Sequence, residues 1–274
     1  MKHLRNILIR IFVLALLVQV WCCAQFHKDT WEVASGRIPE AFDGFRVTLL
    51  TDIHGTRFGK DSKQLLDAVR TCEPDLIAVS GDLLDRWSKD IRVVEPMLRG
   101  LCQIAPVYYV TGNHEWDRDD TEAILDMVAA CGVTVLRGDW VSLERDGRAI
   151  ILAGVDDANG YAEQPTPESV MAEIRDTVVG DPYVMALYHR NTDLERWAAL
   201  DADLVLSGHG HGGVLRLPFV GGVLGVERDF FPDNCFGLYT KGRTTLAVSG
   251  GVAGVRVWNR PHIPTIVLKS VNDP

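Results

Sequence analysis

The chain has 274 residues, 28 Lys and Arg against 37 Asp and Glu, a net charge of −9, and 47% apolar residues. That length supports one large domain of roughly 250 residues, or two small ones, with a full core, and the ordinary charged (24%) and aromatic (8%) fractions exclude wholesale disorder and collagen-like repetition. The acidic balance argues against nucleic acid as a partner, and six cysteines without a C-x-x-C spacing argue against a disulfide scaffold or zinc ribbon.

Residues 1–25 stand apart from the rest. Lys2, Arg5 and Arg10 precede an apolar run from Ile11 to Val18, with Ile7 to Ile9 just upstream. Read as one stretch, Ile7 to Trp21 is somewhat shorter than the ~20 residues of a straight membrane span. The basic flank puts the N-terminus in the cytoplasm and sends the remainder across the membrane. Two readings stay open. One is a single-pass membrane anchor with an extracytoplasmic domain, with Trp21 as an interfacial residue. The other is a signal segment cleaved after Ala24, followed by export.

From Phe45 onward, short apolar runs alternate with helical periodicity. Val47–Leu50, Leu76–Val79, Val107–Val110, Ala149–Ala153, Val184–Leu187, Leu204–Leu206 and Thr245–Val248 read as buried strands. Asp61 with Gln64, Asp119 with Glu122, Thr166-Pro167, and Thr192 with Glu195 mark the starts of four amphipathic helices. The alternation gives an α/β class with much parallel pairing. The Gly-rich tail from Gly212 to Gly254 reads as hairpins and loops.

Polar residues follow these strands directly. Asp52 and His54 follow the first, Asp82 and Asp85 the second, and Asn113, His114 and Glu115 the third. His189 follows the fifth strand, and His209 and His211 the sixth. Ligands in open α/β sheets bind at the carboxyl ends of parallel strands, so five strands deliver Asp, His and Asn to one edge. Five of the eight histidines lie in these positions; His3, His27 and His262 do not. Imidazole, carboxylate and amide oxygen without thiolate suit Mn, Fe, Zn or Mg, and residues two apart point the same way on extended chain. A carboxylate such as Asp82 is placed to bridge two ions.

The ordered blocks Asp52-x-His54, Gly81-Asp82, Gly112-Asn113-His114-Glu115, His189 and Gly208-His209-Gly210-His211 resemble those of the calcineurin-like metallophosphoesterases. Leu152–Asp157 and Gly237–Gly242 resemble segments of the small membrane-associated or exported bacterial phosphodiesterases of that family. The resemblance covers residues 44–270, and it implies a four-layer α-β-β-α sandwich of two mixed β-sheets flanked by helices. It also implies two divalent metal ions. Asp52, His54, Asp82 and His211 would hold the first, and Asp82, Asn113, His189 and His209 the second, with His114 facing phosphate and Asp85 assisting it. The chain departs from the subgroup pattern at His189-Arg-Asn-Thr-Asp193, at Gly210 where Thr is common, and at Val214 where Gln is common.

The reading is therefore a monomeric hydrolase of a phosphodiester or pyrophosphate, its substrate a phosphorylated small molecule or an envelope lipid or glycolipid. The alternatives are a phosphomonoesterase and a catalytically silent scaffold of the same fold. A metal-activated water needs no Ser or Cys nucleophile.

Overall fold

A computed structural model describes residues 25–217 and 219–271, together with residues 3, 5–7, 9, 10, 13 and 19. Two six-stranded mixed sheets form its centre. The first comprises β1 (His27–Ser35), β14 (His262–Ser270), β2 (Arg46–Leu50), β3 (Leu76–Ser80), β4 (Val107–Val110) and β5 (Thr134–Val135), in that order. The second runs β12 (Gly237–Lys241), β13 (Thr244–Val248), β9 (Leu204–Ser207), β8 (Val184–Tyr188), β7 (Arg148–Val155) and β6 (Asp139–Arg145). Strands β2 to β5 are mutually parallel, as are β13, β9, β8 and β7; β14 runs antiparallel to β2.

Strand alternation builds the layers. Val47, Leu49, Met185, Leu187, Leu204 and Leu206 point between the sheets and form the central core. Their neighbours Val184, Ala186, Tyr188 and Val205 face outward. There they meet helices α5 (Pro167–Thr177) and α6 (Leu194–Ala199), which contribute Val170, Met171, Ile174 and Trp197. The first sheet's outer face packs on α1 (Lys63–Arg70), α2 (Glu95–Cys102) and α4 (Thr121–Ala130) through Leu65, Val69, Leu98, Leu101, Ile124 and Val128. A short helix α3 (Asn113–Trp116) follows β4, and a hairpin of β10 (Leu215–Leu217) and β11 (Gly221–Leu224) follows β9. The four layers are those the resemblance implies.

Several helix starts differ from expectation. The helix expected from Asp61 begins at Lys63, and Asp61 itself takes a left-handed φ of 51° without a capping bond. Asp120 and Asp193 occupy the N-cap positions of α4 and α6, again without side-chain caps; Asp120 instead receives Arg118 Nε at 2.7 Å. Thr166 caps α5 as expected, accepting from Ser169 N–H. The packed sheet also begins at His27, ahead of residue 44, because β1 pairs in parallel along the whole of β14. The four described cysteines, Cys72, Cys102, Cys131 and Cys235, are free thiols. Among the described residues no helix is long and apolar enough to cross a membrane. The anchor or signal segment expected over 1–25 lies mostly outside the described residues.

Candidate metal centre

The carboxyl ends of β2, β3 and β4 in one sheet and of β8 and β9 in the other meet at one edge. Asp52 and His54 leave β2, Asp82 leaves β3, and Asn113 opens α3 after β4. His189 leaves β8, and His209 and His211 leave β9. All seven expected metal-binding residues therefore arrive together. Asp52, His54, Asp82, His209 and His211 have φ of 54°, 49°, 51°, 62° and 51°. Non-glycine residues seldom adopt that left-handed region, and such strain gathers at functional sites. Gly112 explains how close the loops come: a Cβ there would stand 2.3 Å from Asp82 Oδ1.

Asp82 lies at the centre. Its Oδ2 is 3.4 Å from His189 Nε2, 3.9 Å from His54 Nε2 and 3.9 Å from His114 Nε2. On one side His211 Nε2 stands 3.4 Å from Asp52 Oδ1 and 3.3 Å from His54 Nε2. On the other, Asn113 Oδ1 is 3.2 Å from His189 Nε2 and 3.0 Å from His209 Nδ1. Ring nitrogens facing one another and a carboxylate at such distances are donor sets aimed at a common point.

Electrostatics at Asp52 and at three of the four histidines agree with cations there, while at His189 burial is outweighed by the Asp82 carboxylate, which raises the ring to about 10. Both carboxylate oxygens of Asp52 are buried without a hydrogen-bond partner, an expensive state unless a cation meets them. Burial pushes the Asp52 carboxyl up to about 7, with Asp82 adding to the rise. Burial also pushes His54 and His209 down to about 4 and His211 well below its ordinary value. These rings are therefore neutral at pH 7, the form that binds metal. Burial opposes ionisation of Asp82, but His189, His114 and His54 outweigh it and hold that carboxyl low. The residue types and the orphaned carboxylate fit divalent cations.

His114 is fixed by a residue other than Asp85. The Arg86 backbone N–H donates to His114 Nδ1 at 3.2 Å, and the Arg86 guanidinium Nη2 stands 3.2 Å from its Nε2. Asp85 Oδ2 lies 3.6 Å from that same Nδ1, and Asp85 Oδ1 accepts from Trp87 N–H. Asp85 is therefore a neighbour rather than a hydrogen-bond partner of the ring. Of the arginines near the site, Arg118 is tied to Asp120 and to the Asp85 and Ser88 carbonyls, Arg190 is bidentate on Asp157, and Arg86 pairs with Asp117.

Glu115 is the participant not assigned from sequence. It is fully buried; its Oε2 accepts from Gly112 N–H (2.8 Å) and Asp82 N–H (3.0 Å), and its Oε1 accepts from Leu84 N–H (3.0 Å). Burial, then the Asp82 charge, raises it to about 8. The two departures at Asn191 and Gly210 meet in space, since a Cβ on Gly210 would stand 3.0 Å from Asn191 Nδ2. A second His and Asp group, His27, Asp29 and His262, does not suit a cation. Gly250 N–H donates to His262 Nδ1 at 3.0 Å, so Nε2 keeps its proton and donates it to Asp29 Oδ2 at 3.2 Å.

Residues 45–213 match the family model described as calcineurin-like phosphoesterase. The uncharacterized metallophosphoesterase YkuE of Bacillus subtilis is 28% identical over 88% of this chain and 84% of its own length. The phosphodiesterase YaeI of Escherichia coli is 28% identical over 82% of each chain. A bovine transmembrane protein with a metallophosphoesterase domain is 29% identical over 88% of this chain and 56% of its own length. In fold, the chain is similar to a dimetal phosphatase from Danio rerio (TM-score 0.51, 13% identity, 76% of this chain and 88% of that one).

Proposed function

The chain belongs to the calcineurin-like phosphoesterase family and is a hydrolase acting on phosphoester bonds, and from that premise we propose a two-metal enzyme that cleaves diesters or pyrophosphates. Asp52, His54, Asp82 and His211 would hold one divalent ion, and Asp82, Asn113, His189 and His209 the other. The observation that carries this reading is Asp82: one buried carboxylate stands 3.4 to 3.9 Å from imidazoles of both sets. When bound, the ions supply Lewis acidity toward the phosphoryl oxygens and the attacking water.

The protein's own groups complete the chemistry. His114 turns its Nε2 toward Asp82 Oδ2, 3.9 Å away, with Arg86 Nη2 3.2 Å from the same atom, and in its protonated form it would donate from Nε2 to the leaving oxygen as general acid. Its ring stands 4.7 Å from that of His54, at the edge of the metal-facing cluster. Asp117 holds the Arg86 side chain next to it.

Ester class follows from charge. A monoester dianion asks for more fixed positive charge than a diester monoanion, yet Arg86, Arg118 and Arg190 are each engaged by carboxylates. The name phosphodiesterase carried by the Escherichia coli relative points the same way. The N-terminal segment is read as holding the domain at the membrane on its extracytoplasmic side, in line with relatives named as transmembrane proteins. The test of ester class is kcat/KM on a bis(aryl) phosphate against the matching aryl phosphate at saturating Mn. A diester preference of at least tenfold is expected, about 1.4 kcal/mol in the transition state; an equal monoester preference would move the reading to phosphatase.

A further inference from the structure

Two loops that adjoin the site end in exposed apolar tips. Gly254 lies flat against His211, where a Cβ would stand 2.3 Å from the ring Cε1, and Asn259 Nδ2 donates to the Gly213 carbonyl at 2.8 Å. Between these anchors the chain exposes Val255, Val257 and Trp258. The second loop begins just after His211 as the β10–β11 hairpin and exposes Phe219 and Val220. It continues to Glu227, whose Oε1 is 3.4 Å from His209 Nε2, and then to exposed Phe230 and Phe231. Main-chain bonds join the loops: Val257 N–H donates to Val214 O at 2.7 Å, and Arg216 N–H to Val257 O at 3.1 Å. One loop with apolar tips thus continues the chain directly from His209 and His211, and the other packs against His211.

The same rim meets the start of the domain. Gln19 Nε2 donates to Arg256 O at 2.8 Å, and Trp258 N–H donates to Gln19 Oε1 at 2.6 Å. Gln19 directly follows the apolar run Ile11–Val18. Gln19 is thus joined to the exposed tip at Trp258. Ile7, Ile9 and Val13, in the run or just upstream of it, are themselves 42%, 53% and 46% exposed. The exposed Val255, Trp258, Phe219, Val220, Phe230 and Phe231 lie on loops joined to one another, and large exposed patches of this kind mark interaction surfaces. Aromatic tips joined to Gln19, which follows an apolar run in the sequence, suit the headgroup boundary of a bilayer, where Trp and Phe gain burial without needing a protein partner.

We propose that this rim seats on a phospholipid bilayer, so that the metal centre works beside the membrane on a phosphoester whose other end is anchored in lipid. The substrate half of this inference rests on the phosphoesterase reading; the seating half stands without it. Full-length protein reconstituted into phosphatidylcholine vesicles with brominated acyl chains reads the seating through Trp258 fluorescence, isolated by difference against Trp258→Phe. The Trp258 emission is expected to fall at least twofold, and the double variant Phe219→Ser, Phe231→Ser is expected to relieve that quenching. Emission indifferent to bromination would overturn the seating, whether the N-terminal stretch or a second copy covers the tips instead. The double variant is also expected to lose at least tenfold on a vesicle-borne diester while staying within twofold of wild type on a soluble one; equal losses would overturn the lipid substrate. Wild type quenched but inactive on every phosphoester contradicts the phosphoesterase reading alone, and wild type active but unquenched contradicts the seating alone.

Discussion

His114 and Asn113 are consecutive, yet they face different tasks: Asn113 Oδ1 points between two imidazoles, and the His114 ring is pinned by the Arg86 main chain. Replacing His114 by Ala should therefore leave two metals per chain while lowering kcat by on the order of 10²–10⁴, the usual worth of a placed acid. Metal loss in that variant, measured by elemental analysis, would refute the role. The metal-facing set was legible in sequence because each member directly follows an apolar strand, and strand ends converge by topology alone. The hydrogen bonding of His114 was not, since it depends on where the Arg86 main chain turns. Glu115 was equally hidden. A Glu after Gly-Asn-His reads as the solvated start of a helix, and only packing shows it sealed against three backbone N–H groups.

Those three bonds make Glu115 a clasp between elements, tying the chain after β3 to the start of α3 and so holding Asp82 against Asn113. Glu115→Gln replaces an acceptor oxygen with a donor facing N–H groups. A destabilisation of about 1–3 kcal/mol is expected from the bond left unmade, read as a lowered urea midpoint, together with weaker metal affinity. An unchanged midpoint and affinity would show that the clasp is idle. Elements with continuous apolar runs, such as β3 and β8, were plain in the sequence. Strand β1 was not, because most of its residues are polar or partly exposed and its partner β14 lies at the far end of the chain. Helix α2 was hidden by Pro96 and Gly100, residues that argue against a helix interior. In the fold, Pro96 occupies the first turn, and a Cβ on Gly100 would stand 2.5 Å from Leu66 Cδ1.

Across the whole molecule, His262 couples the first and last strands to the loop behind Asp52. Its Nε2 donates to Asp29, its Nδ1 accepts from Gly250, and its own N–H donates to Gly251 O. Burial pushes its pKa from 6.5 down to about 4. The unfolded chain therefore takes up the proton first, and stability that is intact above pH 6.5 is lost as pH falls toward 4. Between pH 7 and pH 5 this amounts to on the order of 2 kcal/mol, and His262→Gln should flatten the slope by that much; an identical slope in the variant would refute the assignment. Topology across the membrane has its own check: protease added to intact cells or spheroplasts should digest the domain, and a protected full-length protein would contradict the outward orientation. Asp82, as the carboxylate shared by two ions, is the centre of the proposed chemistry. Metal content per chain, measured on purified full-length protein loaded with Mn, tests it most directly. Two ions are expected in the wild type, and a clear loss of both metal and activity in Asp82→Ala. Two ions retained at full occupancy in that variant, or none bound by the wild type, would contradict it.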